Sequence, residues 1–304
     1  MNKVIAIGQS VLDIIHLDGR PIASFTGGRI ANMAASLSRC GIDVEFVSEC
    51  ATDSVGDMVV GFLNRNGVST KSVDRFTEGQ SQVSLIFRTS DGNERYSEYV
   101  NYPTSRFDVL WPRIDEGDIV VFGSYFAIDD SPRNGLLELL NYAQQRKAII
   151  VYLPGFQPQL CPRITRVMPA ILENLELADI VVARQSDMEK IFGKSDSSEV
   201  YKDHILFYCP NFIFMDSNNR IDLHVPSGNL SAALSTGENN RLGKDASFAA
   251  GIVYGLLKED AAPSNVNSLS TDAWKRILDR ATAFAADSIS SGENVITPDF
   301  ASKL

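Results

Sequence analysis

Short runs of β-branched and aromatic residues alternate with segments of helical period along most of this chain, and that alternation restricts the fold more than any other feature. Val4-Ile5-Ala6-Ile7, closed by Gly8, suits a buried strand. Further strands are predicted at 44–47, 119–122, 148–153 and 180–183. From Arg29 the spacing becomes helical, with Ile30, Met33, Ala34 and Leu37 on one face and Gly41 as a stop. More helices are predicted at about 54–66, 132–146 and 164–174. Apolar strands separated by helices form a parallel sheet covered on both faces, because a parallel pair needs a crossover long enough to hold a helix. Two short strands follow, at 212–215 and 221–225, around the turn Ser217-Asn218-Asn219. Helices at 245–258 and 271–289 finish the pattern, the second with Trp274, Ile277, Leu278, Ala281, Phe284 and Ala285 on one stripe.

Two interruptions do not fit a plain alternation. Residues 12–17 and 22–25 flank Asp18-Gly19-Arg20, and residues 83–88 and 96–100 flank Ser90-Asp91-Gly92-Asn93. Asp-Gly between alternating segments is a hairpin signal. Both fall in the first third, which predicts a small β lid, with strands within 12–26 and 83–101, inserted into one large domain spanning 1–304. No repeat, low-complexity tract or Pro/Gly/Ser-rich linker divides the chain, and its 304 residues at 44% apolar content suffice for a large core.

Several function classes drop out. A formal charge of -10 with no Lys/Arg run argues against nucleic acid and anionic membranes as partners. Cys40, Cys50, Cys161 and Cys209 are widely spaced with no C-x-x-C, which reads as buried reduced thiols. The apolar run after Met1-Asn2-Lys3 is too short for a signal peptide, and no stretch reaches the roughly 18 apolar residues of a membrane span. A cytoplasmic protein acting on a small molecule is the expectation. His16, His204 and His224 have no metal-ligand spacing, and no G-x-S-x-G occurs.

The remaining candidates lie near strand ends. Gly27-Gly28-Arg29-Ile30-Ala31-Asn32 opens a helix with paired glycines, which lets a ligand approach the backbone and places Asn32 one turn in. It fits equally an ordinary turn before an amphipathic helix. Asp13 follows the first strand, where α/β proteins place ligands, and its carboxylate can accept two hydroxyl hydrogen bonds; a turn-capping role fits it too. Gly237 through Lys244 approximates a P-loop, but five residues rather than four separate the glycines and Asp245 replaces the hydroxyl residue, which counts against it. Tyr99, Tyr125 and Phe126 could line a sugar or base pocket, or belong to the core.

The run from Gly27 to Ala34 resembles the G-G-x-x-x-N-x-A signature of ribokinase-type (PfkB-type) sugar kinases, and Asp13 falls where that family keeps a sugar-binding aspartate. Ala51-Thr52-Asp53-Ser54-Val55-Gly56 resembles its G-x-D-x-x-G segment with the first glycine replaced, and Asn66-Gly67-Val68 the G-V that follows. The resemblance implies an α/β fold with a mostly parallel sheet, helices on both faces and a small β lid sheet. It also implies a sugar-like substrate held by Asp13, Gly27, Gly28 and Asn32, ATP with Mg2+ as phosphoryl donor, and homodimerisation through the lid strands.

The nucleotide end departs from the pattern. The family's G-A-G-D before a long helix stands here as Leu242-Gly243-Lys244-Asp245. The resemblance makes Asp245 the catalytic base and the backbone around Gly243 and Lys244 a reduced anion hole, with Lys244 at a glycine position; Asp245 as a plain helix cap competes with that reading. Arg184-Gln185-Ser186-Asp187 stands where the family shows N-x-x-E, which marks Arg184 and Asp187 as phosphate- or metal-shell candidates, with no metal ligand assigned. Leu153-Pro154-Gly155-Phe156-Gln157 replaces D-P-N-x-R, and the T-x-G-x-x-G turn has no counterpart around Tyr208-Cys209-Pro210-Asn211. Arg184 and Lys244 are expected to compensate with positive charge beside Asp245. Two functions follow: ATP-dependent phosphorylation of a hydroxyl on a sugar, polyol or nucleoside, or a catalytically weakened pseudokinase that binds sugar or nucleotide in a regulatory role.

Overall fold

The structure is a computed structural model and describes residues 2–234 and 243–304. Strand β1 (Val4–Ile7) is fully buried and forms the axis of a nine-stranded sheet. On one side it pairs in parallel with β4 (Val44–Ala51), and β4 pairs with the edge strand β5 (Ser69–Phe76). On the other side come β8 (Ile119–Ser124), β9 (Ile149–Pro154), β10 (Ile180–Arg184) and β11 (Phe212–Met215), all parallel. The antiparallel strands β12 (Arg220–Val225) and β13 (Gly228–Ala233) close that edge.

Helices cover both faces. One apolar core joins the sheet to α1 (Arg29–Arg39), α2 (Ser54–Arg65), α7 (Lys244–Lys258) and α8 (Thr271–Ser291). The other joins it to α3 (Arg133–Gln145), α4 (Ile164–Leu177), α5 (Gln185–Phe192) and α6 (Ser197–Val200). Central strands are apolar on both faces because helices dry both. Asp53 caps α2, accepting from Gly56 N at 2.8 Å, and its carboxylate also accepts from Ser81 Oγ at 2.7 Å. The G-x-D-x-x-G counterpart thus works as a cap and tether.

A separate four-stranded sheet has the order β3-β2-β6-β7, from β2 (Val11–Leu17), β3 (Arg20–Gly27), β6 (Gln80–Arg88) and β7 (Glu94–Asn101). Its two hairpins join through β2 and β6, which run parallel. Across the three strands β2, β6 and β7, Asp13 stands opposite Ser84 and Ser84 opposite Glu98, so the three share one face.

The sequence reading missed β5, β13, α5 and α6. β5 carries Ser69, Thr70, Lys71, Asp74 and Arg75 and is half-wet at the sheet edge, so it lacks the apolar run that marks the central strands. All four cysteines are free, three of them buried. Among the described residues, no helix is long and apolar enough to cross a membrane.

Candidate active site

The strands β1, β8, β9 and β10 end on one side of the sheet, and there a cavity of about 420 Å³ opens between the large sheet and the small one. Both glycines at the start of α1 are there for geometric reasons. Gly28 has φ 111°, and a Cβ on it would meet Gln9 O at 2.8 Å; a Cβ on Gly27 would meet Asn32 Oδ1 at 2.0 Å. Asn32 therefore folds back beneath the turn, 4% exposed, with Oδ1 lacking any partner and the side chain lining the cavity. The first amides of α1 have no acceptor within the helix.

Asp13 lines the end of the cavity under the small sheet, and its carboxylate makes no hydrogen bond or ion pair among the described residues. Burial, with Glu98 beside it, pushes Asp13 up to about 7. Glu98 is anchored, one oxygen accepting from Ser84 Oγ at 3.0 Å and the other from Gln82 Nε2 at 3.0 Å. Both donors are buried.

At the opposite end stand Asp245, Arg184, Asp187 and Arg29. Arg184, the last residue of β10, places Nη1 3.1 Å from Asp245 Oδ2 and Nε 2.6 Å from Asp187 Oδ2. Arg29 approaches Asp187 at 4.0 Å and donates to Pro154 O at 3.1 Å, fastening the end of β9 to α1. Burial and then Arg184 lower Arg29 to about 10. Burial alone would raise Asp245, but Arg184, Arg29 and Lys244 together hold its carboxyl below the usual range.

The cavity brings together Asp13, Gly28, Asn32, Arg184, Asp187 and Asp245; Gly27, Gly243 and Lys244 do not line it. Gly243 caps α7, and a Cβ on it would meet Glu293 O at 2.5 Å, so its backbone packs directly on that segment. Lys244 begins α7 in helical backbone, so a side chain at this family-glycine position meets no dihedral conflict. Its Nζ donates to Asn219 Oδ1 at 2.6 Å, while among the described residues Arg184 forms the ion pair with Asp245. Asp245 does not cap its helix with its side chain. Leu242 and Gly237 lie outside the described residues. Tyr125 lines the cavity, Phe126 is core, and Tyr99 is exposed.

Several cavity residues escaped the sequence reading, among them Arg29, Gln82, Ser84, Glu98 and Lys190. Period-2 spacing puts Tyr96, Glu98 and Val100 on one face of β7, a signal that a carboxylate would point with them. A polyphosphate fits the Arg29 and Arg184 guanidinium groups. A protein-held Mg2+ fits poorly, because Asp187, 1% exposed, is spent on two arginines, and among the described residues no group of three or more His, Cys, Asp or Glu is placed to hold a metal.

The chain is 26% identical over 204 residues to a probable fructokinase-4 of Arabidopsis thaliana, a match covering 62% of this chain and 61% of that protein. It therefore spans less than two thirds of that plant relative's length. It is 22% identical over 268 residues to a putative sugar kinase of Pyrococcus horikoshii, covering 84% of this chain and 83% of the relative. Among solved structures it resembles fructokinase with bound ATP from Xylella fastidiosa, with a TM-score of 0.82, 17% identity and coverage of 99% and 97% of the two chains. Aminoimidazole riboside kinase from Salmonella enterica, complexed with aminoimidazole riboside and an ATP analog, matches with a TM-score of 0.81 at 16% identity over 99% of both chains. The fold is ribokinase-like. The model of the pfkB family carbohydrate kinases matches residues 1–207, which takes in the small sheet, the paired glycines and Arg184 but stops short of Asp245. More than half of the chain conforms to that one model, so the chain belongs to the pfkB family of carbohydrate kinases.

Proposed function

We propose that this chain transfers a phosphoryl group from ATP to a hydroxyl of a sugar or polyol, with Asp245 as the base and Asp13 and Asn32 holding the acceptor. The observation that carries the reading is that Asp13, from the small sheet, and Asp245, from the start of α7, line one cavity with a guanidinium beside the second. In this scheme Arg184 passes from Asp245 to the donor's phosphate oxygens, which are its stronger partners. Losing that cation raises Asp245 toward the range in which it can take a hydroxyl proton. Arg29 stays with Asp187 and keeps the buried carboxylate neutralised. The first amides of α7 and the two arginines share the anion-stabilising role that the missing motif glycine would otherwise serve.

A second reading has a specific observation behind it. Asp245 is paired with Arg184 and held below the usual carboxylate range, which weakens it as a base and favours a binding protein without turnover. ADP release with ATP, Mg2+ and a sugar panel separates the two. Kinase activity requires sugar-dependent ADP release that Asp245→Asn abolishes while thermal stabilisation by the sugar persists. Stabilisation with no ADP release from either protein overturns the kinase reading.

A further inference from the structure

The acceptor end of the cavity has an unusual balance of donors and acceptors. Asp13 and Glu98 flank Ser84 in one row of the small sheet, and all three line the cavity. The neutral donors nearest them, Ser84 Oγ and Gln82 Nε2, are both spent on Glu98. Asn32, 4% exposed, also lines the cavity, with its unpartnered Oδ1 buried beneath Gly27. Cations line the other end: Arg29 and Arg184 face Asp187 and Asp245, and Lys190 projects from α5. A ligand entering beneath the small sheet thus meets two carboxyl groups whose neighbouring donors are already engaged.

A neutral sugar satisfies lone pairs there but leaves Glu98 and the ionised share of Asp13 uncompensated, and an anionic sugar adds to that repulsion. A ligand ammonium supplies three donors and the missing charge. We propose that the acceptor is a cationic sugar or polyol, an amino sugar whose protonated amine sits between Asp13 and Glu98. Calling the ligand an acceptor rests on the kinase reading; its chemical class rests on the carboxylate row alone. Burial and Glu98 already hold Asp13 near 7, and a cation between the two carboxylates relieves that repulsion. Glu98 is then the specificity-determining residue, pre-aimed by Gln82 and Ser84.

Calorimetric binding with D-glucosamine, D-galactosamine, D-glucose, D-fructose, N-acetyl-D-glucosamine and D-gluconate, together with ADP release, tests this on the full chain. At least one amine is expected to bind about tenfold or more tighter than the neutral sugars, N-acetylation to abolish the advantage, and gluconate to bind weakest. Glu98→Gln is expected to erase the preference in a protein that still melts cooperatively and still binds the neutral sugars within about threefold. Equal or tighter binding of glucose or fructose, no binding of either amine, or an unchanged preference in Glu98→Gln overturns the proposal. Amine binding without ADP release upholds it and overturns the kinase reading, whereas ADP release with fructose alone does the reverse.

Discussion

Arg184 Nη1 stands 3.1 Å from Asp245 Oδ2, while Nε of the same guanidinium stands 2.6 Å from Asp187 Oδ2. One cation therefore serves two carboxylates of different standing. Both line the cavity, but Asp187 is sealed at 1% exposure and depends on the pair, whereas Asp245, 17% exposed, has use for its carboxylate only when the pair opens. Lys244, next to Asp245 in sequence, is directed by the helix start to Asn219 instead.

Replacing these two cations is expected to have unequal effects. Arg184→Ala removes the phosphate-facing charge and lowers turnover on the order of 100-fold, while Lys244→Ala lowers it less than about tenfold. Arg184→Ala also leaves Asp187 with Arg29 alone, at a stability cost of roughly 3 kcal/mol. Arg184 helps hold Asp245 low in the free enzyme, so the acid limb of the kcat/KM profile moves to higher pH in Arg184→Ala and moves less in Lys244→Ala, whose contribution is the smaller. Steady-state rates across pH and thermal melts read both effects; equal losses in the two variants would refute the ranking.

Gly243→Ala tests whether the start of α7 is positioned by contact with the segment after α8. The added methyl would lie 2.5 Å from Glu293 O and 2.6 Å from Asn294 Cα, both backbone atoms that cannot rotate away. The helix start must shift, which costs about 1–3 kcal/mol and displaces Asp245, two residues on. A lowered melting temperature with a larger fractional loss in kcat than in substrate affinity is expected. Gly292→Ala, at φ 71° with no described atom within 4 Å of the added methyl, strains its own backbone and serves as the control.

The fold was legible because its central strands are apolar on both faces and its helices keep a 3.6-residue stripe, patterns that burial imposes directly on the sequence. The polar edge strand β5 was not, since pairing on one side leaves side chains free to be hydrophilic. The hairpins announced themselves at Asp18-Gly19, where both residues take positive φ, and at Asp91-Gly92. Their joining through a parallel β2–β6 pair is a contact between residues some seventy positions apart and leaves no local trace. In the same way Asp13 and Asn32 sit in short motifs and could be singled out, while Glu98 becomes a site residue only once β7 is known to lie in the same sheet as β2. Local spacing offered Arg184 and Lys244 as equal partners for Asp245; strand β10 and the first turn of α7 decide between them.

Asp13→Asn is expected to stabilise the protein by an amount that grows as pH rises above about 4 and levels off past about 7. In the unfolded chain Asp13 ionises near pH 4, whereas burial and Glu98 raise it to about 7 in the fold, so between those values the native state binds the extra proton. Stability attributable to this group is therefore complete below about pH 4, falls as pH rises, and is lost once pH passes about 7. Glu49, pushed up to about 7 mainly by burial, makes the native protein lose stability over the same interval, so the informative quantity is the difference between variant and native protein. Asparagine mimics the protonated acid. The difference in unfolding free energy should be near zero at pH 4 and reach on the order of 2 kcal/mol in favour of Asp13→Asn at pH 8, measured by denaturant titration at each pH. A difference independent of pH would mean that Asp13 ionises normally, and the repulsion from Glu98 that underlies the preference for a cationic ligand would be too weak to matter.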